Sequence, residues 1–124
     1  MIPDNDSLIK KWLSVFGQGA DEKLICSRVT SHGNFLWHLF TWGKVPCLEK
    51  DEARAAFDNL QYTEAIVFYD GYSNHIEGAS YIGKLSAQEI DDNDENDIYV
   101  VAKDFSWTYV RTHEIGIGPF LCKK

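Results

Sequence analysis

The sequence predicts an α+β fold in which N-terminal helices pack on a small, mainly antiparallel C-terminal sheet. Two observations carry this. Apolar residues recur at helical spacing as far as Leu60, and from Glu64 onward short β-branched and aromatic runs, separated by turn residues, replace them. Helices first and strands second is the order of an α+β layer rather than of alternating parallel units. No linker, repeat or composition break divides the chain, so residues 1–124 are read as a single domain.

The elements follow in order. Residues 4–16 form an amphipathic helix, with Asp6 or Ser7 as cap and Leu8, Ile9, Trp12, Leu13, Val15 and Phe16 on one face. Gly17 and Gly19 stop it. Asp21 caps a short second helix reaching about Ile25. Phe35, Leu36, Leu39 and Phe40 mark a third, ended by Gly43 and Pro46. Asp51 caps a fourth, in which Ala53, Ala56, Phe57 and Leu60 share a face. Residues 65–69 are a short apolar strand closed by Asp70-Gly71, and residues 80–85 are a weak or edge strand. Ser86 and Glu89 have capping-box spacing and start a single helical turn. Residues 98–102 and 105–112 are strands of an antiparallel hairpin turned at Lys103-Asp104. Phe105, Trp107 and Tyr109 lie on one of its faces. After the Gly116-Gly118-Pro119 loop, residues 120–122 add a last edge strand.

A chain of 124 residues with 44% hydrophobic content can bury a core without metal or disulfide support, and it is too apolar to be disordered. The formal charge of -7 argues against a protein whose main task is to hold nucleic-acid phosphates. That charge is concentrated. Glu89, Asp91, Asp92, Asp94, Glu95 and Asp97 fall within nine residues that contain no base. Setting them aside leaves the remaining acids of the 19 nearly balanced by 12 Lys and Arg. Such a run is either a solvated loop or a rim that steers a basic protein into place. It is no calcium loop of the EF-hand type: no Gly stands at its centre, and the twelfth position from Asp91 is Ala102.

No secretory leader is visible at the start, where Asp4, Asp6, Lys10 and Lys11 interrupt any apolar core, and no run approaches a membrane span. Cys26, Cys47 and Cys122 match neither a zinc pattern nor a redox pair, which fits three thiols in a reducing cytoplasm. His32, His38 and His75 are not spaced to converge on a metal, and no HExxH, phosphate loop or nucleophile elbow occurs. No metal and no cofactor is therefore expected. Arg111, His113 and Glu114 are the nearest approach to acid–base chemistry. Neighbours on a strand face opposite ways, however, so His113 and Glu114 would meet only across a turn, and strand-end hydrogen bonding by Thr112 and His113 explains the segment equally. Trp42, Tyr72 and Tyr99 are candidate aromatic contacts for a partner.

Three segments resemble a family of small bacterial proteins, DUF4275. They are Gly33 with Phe35-Leu36-Trp37-His38-Leu39-Phe40; Glu52-Ala53 through Ala56-Phe57; and, most specifically, Asp97-Ile98-Tyr99-Val100-Val101 with Asp104-Phe105-Ser106-Trp107-Thr108-Tyr109-Val110, Thr112-His113-Glu114 and Gly118-Pro119-Phe120. The likeness spans roughly residues 8–121. The family has no established activity, so the resemblance implies no catalytic residue here. In kind rather than in motif, the chain is also similar to the immunity proteins encoded beside polymorphic bacterial toxins, which are small, acidic, cytosolic and without catalytic motifs.

The expected function is that of an immunity or inhibitor protein, not an enzyme. It would bind a basic bacterial toxin of the nuclease type and occlude its active or substrate-binding surface. The chain itself would touch neither nucleic acid nor membrane and would favour the monomer. The alternative is a small enzyme or ligand-binding protein using Arg111, His113 and Glu114.

Overall fold

The computed structural model describes residues 11–12, 14–16, 47–70, 76–92, 97–112 and 118–123; of residues 69–70 and 76–81 it describes the backbone alone. The helices expected before residue 47, apart from residues 11–16, lie outside these residues. So do Cys26, Trp37, Trp42, Tyr72, His75, Asp94, Glu95, His113 and Glu114.

Among the described residues, six strands form one antiparallel sheet. They are β1 (Leu48–Glu49), β2 (Glu64–Asp70), β3 (Ile76–Gly83), β4 (Asp97–Ala102), β5 (Trp107–Arg111) and β6 (Phe120–Lys123), in the order β1-β6-β5-β4-β2-β3. Two helices are interleaved: α1 (Lys50–Asp58) and α2 (Ala87–Asp91). Residues 11–12 and 14–16 are also helical. This is an antiparallel sheet with short helices, and five of its six strands lie after the change of periodicity at Glu64; β1 lies before it and is not expected from the sequence.

The first sheet face carries Ala65, Val67, Ile98, Val100, Ala102, Trp107, Tyr109 and Leu121. It meets Ala53 and Phe57 of α1 and Ala87 and Ile90 of α2 in one buried core. Phe57 stacks on Tyr109 with ring centroids 4.1 Å apart and meets Trp107 edge-on. Ala56 packs against the same core from α1, and Leu60 does so from beyond the helix, which ends at Asp58 and does not include it, although the spacing implies that it should.

The second face carries Ile66, Phe68, Tyr99, Val101, Thr108, Val110, Phe120 and Cys122, and these too are buried. Trp12 reaches it. Its indole N–H donates to Thr108 Oγ1 at 2.9 Å, and its ring stands edge-on to Tyr99. Thr108 in turn donates to the Val100 carbonyl at 2.9 Å, so both buried polar groups are satisfied. Both faces of the sheet are therefore buried at these positions. A strand buried on both faces needs apolar residues at every position, and β4 is buried from end to end.

Three local expectations also change. Phe105 is not in β5: it closes the hairpin turn, donating its N–H to the Ala102 carbonyl at 2.8 Å with φ 59. The turn spans residues 103–106 rather than Lys103-Asp104 alone, and Asp104 accepts from the Ser106 N–H at 3.0 Å. A left-handed phenylalanine is costly. Here its buried ring stacks on Phe16 at 6.4 Å, with Lys11 Nζ 4.7 Å from its centroid. Second, β6 is not an edge strand, because β1 covers it through Leu48↔Leu121 and Glu49↔Phe120. Third, α1 is entered from Glu49, which makes no side-chain cap bond. Asp51 instead sits in the first turn, where its charge complements the helix dipole. The expected capping at Ser86 holds, with Ser86 Oγ accepting from Glu89 N–H at 3.1 Å.

Candidate functional site

The acidic run begins on α2, and the packing of α2 against α1 decides which of its carboxylates reach solvent. The Ala87 N–H donates to Asp58 Oδ1 at 2.8 Å, so the end of α1 holds the start of α2. Arg54 then spans the two helices. Its Nε donates to Asp91 Oδ2 at 3.0 Å and its Nη1 to Asp51 Oδ1 at 2.9 Å. Burial pulls the Arg54 guanidinium down, but the Asp91 charge and the hydrogen bonds to Asp51 and Asp91 outweigh it and hold its pKa above the ordinary value.

The six acids of the run therefore do different things. Glu89 and Asp92 are exposed. Asp92 ends α2, with Oδ1 accepting from Gln88 Nε2 at 3.0 Å. Asp91 is half-buried and tied to Arg54, so it joins the helices as much as it lines a rim. Asp97 is fully buried at the start of β4, on the face of Tyr99, and this corrects its placement on a solvated rim. Tyr99 is likewise fully buried, its ring stacked on Phe68 at 4.9 Å, and it serves the core instead of a partner contact. Both sit in the central strand β4, where neither side of the chain is open. Asp94, Glu95, Trp42 and Tyr72 fall outside the described residues.

The sequence reading missed the contribution of α1. Asp51, Glu52 and Asp58 are exposed on the helix beside α2. Together the two helices present Asp51, Glu52, Asp58, Glu89, Asp91 and Asp92 against Lys50 and Arg54. The i,i+3 pair Asp51/Arg54 was readable from the sequence. That α1 and α2 adjoin depends on the tertiary fold.

Beneath this surface lies the Tyr109 hydroxyl. It is buried and finds no hydrogen-bond partner among the described residues. Desolvation, then the negative charge of Asp91, raises its pKa well above the ordinary tyrosine value, against the opposing charges of Arg54 and Arg111. Arg111, half-buried at the end of β5, thus lies near this polar cluster. At the other end of the sheet, Lys103 pairs with Glu64 at 2.9 Å, an exposed bridge of little weight.

Among the described residues, no three His, Cys, Asp or Glu side chains gather as a metal site, and no helix is long and apolar enough to cross a membrane. No curated protein and no solved structure matches the chain. A family model does, over residues 7–121, which include α1, α2, β1 to β5 and the first half of β6. The chain belongs to the DUF4275 family, described as a domain of unknown function.

Proposed function

We propose that this protein is an immunity or inhibitor protein of the cytoplasm, not an enzyme, which binds a basic bacterial toxin of the nuclease type and occludes its active or substrate-binding surface. The single observation that carries the reading is the exposed acidic surface on α1 and α2, where Asp51, Glu52, Asp58, Glu89 and Asp92 face solvent. A nuclease must be basic to hold a polyanion, and clustered carboxylates compete for that surface and speed the encounter. In this reading Trp12 lies on the second sheet face, and the acidic helices α1 and α2 on the other are the docking side. Asp94 and Glu95 continue the rim, and Trp42 and Tyr72 are its aromatic anchors.

The test neutralises the run without breaking the α1–α2 tie: Glu89→Gln, Asp92→Asn, Asp94→Asn and Glu95→Gln together, with Asp91 kept. Association with the product of the adjacent gene, which this reading takes to be a basic toxin, should slow by about tenfold at low salt and lose most of its salt dependence. Unchanged rates at both low and high salt would show that the run is only a solvated loop.

A second reading, a small enzyme or ligand-binding protein using Arg111, His113 and Glu114, is favoured by the buried Tyr109 hydroxyl among the charges of Asp91, Arg54, Asp58 and Arg111. Under it, Arg111→Met abolishes a ligand-induced thermal shift in a small-molecule screen. Under the first reading no such shift occurs, and Arg111→Met leaves toxin binding intact.

A further inference from the structure

The register of the sheet edge places two cysteines opposite each other. β1 and β6 pair through Glu49↔Phe120 and Leu48↔Leu121, and the next pair outward on the same register is Cys47 with Cys122. The hydrogen bonding fixes the kind of pair. The Lys50 N–H donates to the Pro119 carbonyl at 2.8 Å. In an antiparallel ladder, hydrogen-bonded and non-hydrogen-bonded pairs alternate. Counting outward from Lys50/Pro119 makes Leu48/Leu121 a hydrogen-bonded pair and Cys47/Cys122 a non-hydrogen-bonded one. Such pairs have Cα atoms about 4.5 Å apart and side chains on one face, inside the range of roughly 4.4–6.8 Å that a disulfide spans.

Access and chemistry agree with this placement. The structure holds Cys47 and Cys122 as thiols, Cys47 half-buried and Cys122 buried. Cys47 borders an open hollow of about 340 Å³ at the sheet edge, with Leu48, Leu121 and Lys123. Burial pushes the Cys47 thiol up to about 12, and the nearby charges of Glu49 and Cys122 push the same way. The two sulfurs are close enough to feel each other.

We propose that Cys47 and Cys122 are a reversible cross-strand disulfide pair that clamps the two-residue edge strand β1 to β6 when a small-molecule disulfide is present. The Cys47 thiolate attacks that disulfide, forms a mixed disulfide and expels one thiolate. The Cys122 thiolate then displaces the second. Two protein thiols are oxidised to one disulfide, the small disulfide is reduced to two thiols, and the two protein protons pass to the departing thiolates. Because little Cys47 is ionised at neutral pH, the pair oxidises slowly there and faster with each step in pH.

The experiment uses the full chain with Cys26→Ser, exposed to glutathione disulfide between pH 7 and 9 and quenched with acid. The expected product has lost two hydrogens, retains no glutathione and joins the Cys47 and Cys122 peptides. Its rate of formation rises about tenfold per pH unit. Closing the loop from residue 47 to residue 122 should raise the melting temperature by about 10 °C, reversed by dithiothreitol. Cys47→Ser should abolish both effects. The proposal is overturned if Cys47 stays alkylatable in the folded chain while a urea-unfolded control cross-links, if Cys47 stops at a stable glutathione adduct, or if the link forms only between molecules.

Discussion

At the scale of the residue, Tyr109 makes the sharpest stability prediction. Its ring does the packing, stacked on Phe57, while its buried hydroxyl has no hydrogen-bond partner among the described residues. Removing an unpaired buried polar group costs nothing, so Tyr109→Phe should leave stability unchanged or raise it by up to about 1 kcal/mol. Phe57→Ala, which empties the other half of the stack, should cost about 3–5 kcal/mol. Urea denaturation of both variants checks the contrast, and a Tyr109→Phe loss above about 1 kcal/mol would show that the hydroxyl is satisfied. The alkaline limb offers a second test. Folding raises the Cys47 thiol from 9.0 to about 12, and it raises Tyr109 above its ordinary 10.0. A proton held more tightly in the folded state contributes stability that is complete below the unfolded pKa and is lost as pH climbs toward the folded one. Under reducing conditions the urea midpoint should therefore fall above about pH 9, and Cys47→Ser should delay the fall toward pH 10, the ordinary tyrosine range. Neither effect was legible in the sequence. A Tyr on an alternating strand reads as half-exposed until the helix above it is in place.

At the scale of the element, α1 and α2 share an apolar core and are also joined by polar contacts. Arg54 bridges Asp51 and Asp91, and Asp58 accepts from the first N–H of α2. The Arg54–Asp91 pair is part-exposed, so a double-mutant cycle with Arg54→Met and Asp91→Asn should give a coupling of about 0.5–1 kcal/mol. A coupling indistinguishable from zero would mean that the helices are held by the Asp58–Ala87 bond and by the packing of Ala53, Phe57 and Ile90. Strong local signals carried through at this scale. The Ser86–Glu89 spacing marks a real cap, and Ala53, Ala56 and Phe57 mark the inner face of α1, while Leu60 packs on the core from beyond its end. The failures share one cause, which is tertiary contact overriding a local pattern. Phe105 fits the alternation of β5, yet it is drawn into the turn by its contacts with Phe16 and Lys11. β1 has only two residues, too few to show a period, and exists because β6 offers it an edge.

At the scale of the whole molecule, the charge map is what links the fold to a function. The run Glu89–Asp97 was visible as an acidic segment, but sequence gave no means of sorting its members. The sheet buries Asp97, Arg54 engages Asp91, and Glu89 and Asp92 are left in solvent beside the acids of α1. The result is a broader and shallower acidic surface than a single loop would make, formed by two helices on one side of the sheet. Tyr99, legible as an exposed aromatic of an alternating strand, is core because the second face is covered as well. The central claim is that this surface receives a basic partner. Its most direct test is the association rate between this protein and the product of the adjacent gene, which the proposed function takes to be a basic toxin, followed by stopped flow from about 50 to 200 mM salt. The prediction is a fast association that slows steeply with salt, and slows at low salt in the Glu89, Asp92, Asp94 and Glu95 variant. Absence of a complex, or a complex whose rate ignores both salt and those substitutions, would contradict it.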